Sequence, residues 1–365
     1  MEYVQERVTT LHAFTDPVPD APVGDAAVVV PMTQREHASL AAERVLTALE
    51  DVAPGRVVVA LQADADTVGD VDRWLSTFEL DVETCWCDGP RLQSLLAEHG
   101  LNGAHGKGRD VWLALGLAAE SPYVAVHDAD AKTYSRAHVP RLLFPLEHGY
   151  GFSKGFYARV ENRRLYGRLF RLFYTPMVRT LAEAHDADIL DYLAAFRYAL
   201  AGEFAATSDV VRSLRVQRGW GLEVGTLGDA FHAVGADGSA QVDLGIHEHD
   251  HRAVGGPEGL ETMSEEVGEA LFRAVEEGGV SPDYDTLVDR YRETASEFVR
   301  KYAADSAFNG LTYDRASERE QVENYAEAVR RPGEDTRLPA WEEAPITPAA
   351  VRAAVEADIE EAAAR

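Results

Sequence analysis

The first 130 residues alternate four times between a short apolar run and a segment with helical periodicity. The apolar runs are predicted strands, at 26–30, 57–61, 82–87 and 123–127. The helical segments are predicted at 36–49, 70–78, 91–99 and 107–119. Strands that alternate with helices pair in parallel, because each helix returns the chain to the same end of the sheet. The sequence therefore predicts an α/β fold with a doubly wound sheet.

The alternation stops after residue 130, and the predicted organisation follows from this change. Residues 1–24 carry three prolines and little periodicity, which predicts an irregular N-terminal arm. Residues 25–258 are predicted to form one catalytic domain. Two long helices and an acidic terminal helix are predicted within 259–365, as a helical C-terminal extension.

The charge of the chain limits its partners. The formal net charge is -27, and all but four of the 35 basic residues are arginine. Nucleic acid is excluded as a partner, because the sequence has no basic stretch to neutralise phosphates. An acidic surface with few lysines suits a salt-rich cytoplasm, where screening weakens self-repulsion, so a halophilic source is expected.

Two further features support a cytoplasmic location without a membrane partner. The N-terminus lacks the basic and apolar regions of a signal peptide, and no apolar run reaches the ~18 residues of a membrane span. The two cysteines, Cys85 and Cys87, are too close in sequence for an unstrained bridge. We expect them to be reduced residues of the core.

Asp128 and Asp130 form a D-x-D triplet directly after the predicted strand at 123–127. Ligands of open α/β sheets bind at the carboxyl ends of the strands. Two carboxylates there can bind one divalent cation, which can also bind a diphosphate. The alternative is a loop that caps the next helix. A second triplet, at Asp64 and Asp66, also follows a strand, and for this one we favour the helix cap.

Histidines and basic residues supply further candidates. His247, His249 and His251 alternate, so on an extended segment they share a face. They could bind zinc, or one of them could complete a Mg²⁺ or Mn²⁺ site with the D-x-D carboxylates. Lys107 lies between two glycines before a predicted helix, a pattern that suits an anion. Three residues could meet an anionic acceptor: Lys154, Arg159 and Arg168.

Seven short blocks resemble, in order and spacing, those of glucosyl-3-phosphoglycerate synthases, which are retaining glycosyltransferases. The blocks are V-V-V-P at 28–31, G-K-G at 106–108, V-A-V-H-D-A-D at 124–130, K-G-F-Y-A-R at 154–159, A-G-E-F-A-A-T at 201–207, G-W-G-L-E-V-G at 219–225 and Q-V-D-L-G-I-H-E-H at 241–249. The resemblance implies a GT-A fold, with a Rossmann-like mixed sheet flanked by helices. It divides the catalytic domain into a nucleotide-binding half, 25–130, and an acceptor-binding half, 131–258.

The resemblance implies roles for residues at the donor. Pro31 and Lys107 would line the pocket of the nucleotide diphosphate, with Asp128 beside it. Asp130 and Asp128 would bind the divalent metal, Mg²⁺ or Mn²⁺, and His249 would supply another ligand. Lys107 and Asp130 are accordingly candidates for catalytic residues.

It also implies roles at the sugar and the acceptor. Glu223, a further catalytic candidate, would bind the hydroxyls of the donor sugar. Gly167 and Arg168 match the segment that binds the acceptor. We add Lys154 and His251 as acceptor candidates. Arginine binds carboxylate and phosphate groups in a bidentate manner, which suits 3-phosphoglycerate.

The expected reaction is metal-dependent transfer of glucose from UDP-glucose to 3-phosphoglycerate. Three positions depart from the family: Arg35 replaces an acid near the nucleoside, Phe170 a threonine, and His251 an asparagine. These departures leave another acceptor open. The further alternatives are mannosyl transfer from GDP-mannose, a non-catalytic sugar-nucleotide binder and a zinc hydrolase that uses the histidine run. The helices after residue 259 could form a homodimer interface or pack on the domain.

Overall fold

The computed structural model describes the backbone of residues 5–248 and 257–364, with side chains from residue 262 onward in the second range. The strands in these residues are β1 Thr9–Leu11, β2 Ala26–Thr33, β3 Arg56–Gln62, β4 Val82–Trp86, β5 Tyr123–Val126, β6 Phe152–Ala158, β7 Val160–Glu161, β8 Arg164–Leu165, β9 Phe204–Thr207 and β10 Ser239–Ile246. The α-helices are α1 Leu40–Val52, α2 Val68–Leu75, α3 Pro90–Glu98, α4 Lys107–Ala118, α5 His138–Glu147, α6 Thr175–Ala182, α7 Asp188–Ala195, α8 Ser208–Ser213, α9 Leu222–Val234, α10 Pro257–Glu277, α11 Tyr284–Phe308, α12 Arg315–Ala326 and α13 Pro348–Ala363. Short helical turns lie at Val23–Asp25 and Gln34–Glu36, and a π-helix at Phe170–Tyr174.

Eight strands form one sheet in the order β1-β10-β6-β9-β5-β2-β3-β4. All neighbours pair in parallel except β9, which is antiparallel to both β5 and β6. The mixed sheet flanked by helices confirms the predicted fold class. β9 enters the sheet at the edge where β5 and β6 end, so residues just before β9 lie beside residues just after β5.

The central strands are buried because helices cover both faces of the sheet. Residues 26–30 of β2 and residues 57–61 of β3 are at most 1% exposed. Continuous apolar runs are typical of such doubly covered strands. The four strands predicted before residue 130 are confirmed, as β2, β3, β4 and β5. Cys85 and Cys87 are buried free thiols, as expected.

The N-terminal arm differs from the prediction. Residues Thr9–Leu11 form β1, which pairs in parallel with β10 at the edge of the sheet. The arm is held further by Arg141 on α5, which binds the Asp16 carboxylate and donates to Pro17 O at 2.8 Å. A strand of three residues is too short to show periodicity in the sequence. Its pairing partner, β10, is more than 200 residues away, so no local pattern reveals the pairing.

The C-terminal helices pack along the whole domain. α10 packs on α9, α11 on α6 and α12, and α13 returns to α3 beside the first half of the sheet. Asp358 of α13 is 1% exposed and accepts hydrogen bonds from Arg91 N and Leu92 N at the start of α3. Since Gly89, the N-cap residue of α3, has no side chain, Asp358 acts as the cap from elsewhere in the chain. Among the helices of the described residues, none combines the length and the hydrophobicity of a membrane-spanning segment.

Candidate active site

Asp128 lies at the carboxyl edge of the sheet, directly after β5. Because β9 is antiparallel to β5, with Val126 opposite Phe204, the residues before β9 reach the same place. A Cβ atom at Gly202 would lie 2.6 Å from Asp128 Oδ2. Only glycine leaves room for the carboxylate in this arrangement. Glu203, next in the chain, is fully buried.

Lys107 is the first residue of α4, and it lies close to Asp128. Its Nζ donates to Asp128 Oδ1 at 2.7 Å and lies 3.4 Å from Glu223 Oε1. The turn before α4 packs against the chain at 217–219, and a Cβ atom at Gly108 would overlap Gln217 O. Burial lowers the pKa of Lys107, but the carboxylates of Asp128 and Glu223 outweigh it and raise the pKa above its ordinary value. The amine is therefore held as a cation.

Glu223 lies in the first turn of α9, the third segment of the site. The preceding turn is held from α10, where Glu266 Oε2 accepts from Trp220 N at 2.6 Å. A Cβ atom at Gly219 would overlap the same carboxylate. Glu266 thus positions the turn that presents Glu223. Sequence reasoning missed Glu266, since nothing in its surroundings distinguishes it from other helix-surface acids.

Lys154 lies on β6, beneath the carboxylates of Asp128 and Glu223. It is 1% exposed, and its Nζ donates to Ala201 O at 2.6 Å. Burial lowers the pKa of Lys154 to about 8, although Glu223 and Glu203 counteract it. The contact holds the chain before Gly202 in place. Lys154 therefore supports the site from inside, whereas the sequence analysis placed it against the acceptor.

The predicted acceptor segment, Gly167 and Arg168, lies between β8 and the π-helix. Gly167 has a φ of +73°, and a Cβ atom there would lie 3.1 Å from Tyr198 Oη, so both the backbone and the space favour glycine. The Arg168 side chain is 39% exposed, and its Nε donates to Glu318 Oε1 of α12 at 2.8 Å. Phe170 packs on Tyr198, with ring centroids 4.9 Å apart.

The second D-x-D triplet does not cap a helix. α2 begins at Val68, and its N-cap residue Thr67 makes no side-chain capping bond. Asp64 instead forms a reciprocal pair with Gln34: Oδ2 accepts from Gln34 Nε2, and Asp64 N donates to Gln34 Oε1, both at 2.8 Å. The helix-cap prediction for Asp64 is wrong, because this pairing between the ends of β2 and β3 uses its carboxylate.

Pro31 lies near the end of β2, on the side that faces β5. Val29 O accepts from His127 N, and β5 ends at Val126. Another residue at this position would direct its N–H towards β5, but β5 has already ended. Proline, which has no N–H, is therefore tolerated there. Pro31 thus marks the opening of the sheet between β2 and the Asp128 loop.

The carboxylates of Asp128 and Asp130 could hold a divalent cation. Both are hard oxygen donors, which Mg²⁺ and Mn²⁺ prefer. The turn after Asp130 is bound to the end of the β10 segment, where Lys132 N donates to Glu248 O at 2.7 Å. Within the described residues, no three His, Cys, Asp or Glu side chains form a metal-binding group. His249, one residue further, and His251 lie outside the described residues.

No model of a known protein family matches the chain. The glucosyl-3-phosphoglycerate synthase of Methanococcoides burtonii is 34% identical over 364 residues, 92% of this chain and 90% of that protein. That of Persephonella marina is 35% identical over 83% of this chain and 80% of its own length.

Solved structures show the same fold. The crystal structure of glucosyl-3-phosphoglycerate synthase from Mycobacterium tuberculosis with Mn²⁺, UDP and phosphoglyceric acid aligns with a TM-score of 0.56 at 24% identity, over 76% of this chain and 88% of that one. The complex of the same enzyme with Mg²⁺ and UDP aligns at 0.55 and 25% identity, over the same shares of the two chains.

Proposed function

The chain belongs to the glucosyl-3-phosphoglycerate synthase family of glycosyltransferases, and from this we propose that it transfers glucose from UDP-glucose to 3-phosphoglycerate with retention at the anomeric carbon. The observation that carries the proposal is the meeting of Lys107, Asp128 and Glu223 at the carboxyl edge of a GT-A sheet. These three residues come from three separate segments. Together they supply a cation and two carboxylates where a nucleotide-sugar would bind.

Lys107 is the proposed partner of the diphosphate. Its raised pKa keeps it protonated, and α4 begins at this residue without a side-chain cap. A phosphate at the start of α4 would thus meet the ammonium group, whereas the Arg109 N–H of the same turn already donates to Arg218 O at 3.1 Å. Asp128 Oδ1 accepts a hydrogen bond from this ammonium group, so a diphosphate that binds Lys107 would compete with one carboxylate for it.

Asp128 and Asp130 would hold Mg²⁺ or Mn²⁺, with His249 as the further ligand proposed from sequence. The Mycobacterium tuberculosis enzyme has been crystallised with each of these ions together with UDP, which supports the assignment. A bound cation would neutralise charge that develops on the departing diphosphate. Lys107 acts on the same charge from α4.

Glu223 is proposed to accept hydrogen bonds from the glucose hydroxyls, and Arg168 to bind the carboxylate or phosphate of the acceptor. Both roles follow the family resemblance. With the acceptor held on the diphosphate side of the sugar, its hydroxyl would attack C1 from the face that UDP leaves, which retains the configuration. Glu203, buried beside Asp128, could steer the sugar, and we assign no residue as a covalent nucleophile.

A donor-by-acceptor panel tests the proposed function. UDP-glucose and GDP-mannose are each incubated in high salt with Mg²⁺ or Mn²⁺, with and without 3-phosphoglycerate, and release of nucleoside diphosphate is measured. We expect release that depends on UDP-glucose and on 3-phosphoglycerate together, and an α-linked product by NMR. Preference for GDP-mannose, or turnover that ignores 3-phosphoglycerate, would contradict the proposal.

Matched carboxylate variants separate catalysis from mere binding. Asp128→Asn is expected to abolish turnover while UDP still binds, whereas Asp66→Asn, in the second triplet, is expected to leave turnover unchanged. Equal turnover in the two variants would show that Asp128 is not required for catalysis, and UDP binding without turnover in the wild type would favour a non-catalytic binder. Activity that requires Zn²⁺ and fails with Mg²⁺ alone would favour the zinc hydrolase.

A further inference from the structure

Glu318 of α12 lies between two arginines, Arg168 of the predicted acceptor segment and Arg171 of the π-helix. It is 3% exposed, and its oxygens are divided between them: Oε1 accepts from Arg168 Nε at 2.8 Å and Oε2 accepts from Arg171 Nη1 at 3.2 Å. A buried carboxylate is tolerated only with such partners. The two arginines are three residues apart at the start of the helical segment that contains the π-helix, so they approach α12 from the same side.

Arg171 is held entirely by the protein. It is 5% exposed, its Nε donates to Tyr166 O at 3.1 Å, and its Nη2 donates to Leu165 O at 3.4 Å. Its guanidinium also lies 4.7 Å from the centre of the Tyr302 ring. Arg171 is therefore buried away from solvent, and it anchors the Glu318 carboxylate.

Arg168 is held along only one edge of its guanidinium. Nε binds Glu318, and Nη2 donates to Ser317 Oγ at 3.3 Å. Nη1 makes no hydrogen bond to the residues that the structure describes, and 39% of the side chain is exposed. The end of the guanidinium, formed by Nη1 and Nη2, thus remains available for a bidentate contact with a carboxylate or phosphate.

We propose that Glu318 is a positioning residue for the acceptor. Glu318 fixes the Nε edge of the Arg168 guanidinium. The end formed by Nη1 and Nη2 then faces an incoming anion without the entropy cost of ordering a long side chain. The proposal rests on the proposed function, because it takes Arg168 as the acceptor-binding arginine. It adds that α12, from the C-terminal extension, sets the affinity for the acceptor.

The steady-state constants of Glu318→Gln test this role. We expect the KM for 3-phosphoglycerate to rise by about tenfold, as for loss of one charge-assisted hydrogen bond, with kcat and the KM for UDP-glucose within about twofold of wild type. Glu323→Gln is the matched control, because this exposed acid of the same helix binds Arg292 and not the acceptor segment.

Ser317→Ala provides a milder variant in case Glu318→Gln does not fold. It removes only the Nη2 contact, and we expect the acceptor KM to rise by about two- to threefold. An unchanged acceptor KM in a folded variant would overturn the proposal, as would equal losses in kcat and in both KM values. If the wild-type enzyme itself does not use 3-phosphoglycerate, the proposed function fails instead, so the two failures are distinct.

Discussion

Lys107 Nζ and Asp128 Oδ1 are 2.7 Å apart, although α4 and β5 bring them from different layers of the fold. The pair joins the start of a helix to the end of a strand at the edge where ligands of α/β sheets bind. Glu223 adds a second carboxylate to the same ammonium group. An anion that displaces Asp128 would find Lys107 already ordered.

Lys107→Met is expected to reduce kcat by about 100-fold or more, because it removes a preorganised cation from the leaving diphosphate. Initial rates of UDP release, with circular dichroism to verify folding, provide the measurement. Lys301→Met is the control, since Lys301 is on α11, where it binds Glu297 and lies over the Phe298 ring. A folded Lys107→Met enzyme with more than half of the wild-type rate would exclude the role.

Gly202→Ala is expected to lower turnover by about 10- to 100-fold, because the new methyl group displaces the Asp128 carboxylate. The chain stays folded, since a carboxylate can swing away from the methyl group. Gly24→Ala is the control, because no atom lies within 4 Å of a Cβ atom built there. Similar rates in both variants would show that the position of Asp128 is not critical.

Asp358→Ala is expected to reduce the free energy of unfolding by about 1–3 kcal/mol, because two N–H groups of α3, one of them buried, lose their acceptor. Urea titration in high salt measures the change. The exposed Glu356 on the same helix gives the control variant Glu356→Gln, expected within about 0.5 kcal/mol of wild type. Turnover per folded molecule should be unchanged; a stable Asp358→Ala protein would refute the capping role.

Acid should weaken the Asp335–Arg337 pair. Hydrogen bonding to Arg337 lowers the pKa of Asp335 to about 2, below its value in the unfolded chain. Its contribution to stability is therefore complete above about pH 4 and is lost as pH falls toward 2. Between those values, wild type should lose stability more steeply than Asp335→Asn in urea titrations. The exposed residue Asp20 provides the control, Asp20→Asn, which removes a surface carboxylate and leaves the Asp335–Arg337 pair intact.

Salt is expected to stabilise the fold. The acidic side chains that give the net charge of -27 repel one another. The screening length falls from about 10 Å at 0.1 M salt to about 3 Å at 1 M, which weakens this repulsion. The thermal unfolding midpoint should therefore rise steadily with KCl. Sucrose at matched osmolarity controls for solvent exclusion. A midpoint that stays constant or falls with KCl would contradict the halophilic prediction.

The first half of the fold could be predicted because its signals are local. The strands β2 and β3 are continuous apolar runs, which buried parallel strands require. The edge strand β1 was missed because its partner β10 lies far along the chain. The predicted cap at Asp64 was wrong because the sequence could not show that Gln34 binds this carboxylate.

Local patterns were enough to predict the α/β class and the family, and they made Lys107, Asp128 and Glu223 site candidates, since each of the three lies in a short block with its own pattern. Only the tertiary structure revealed that these three meet, that Lys154 is buried beneath them and that Glu318 holds Arg168. The physical reason is distance along the chain. Local periodicity reports which face of an element is apolar, whereas an ion pair between residues 150 positions apart depends on how all the elements pack.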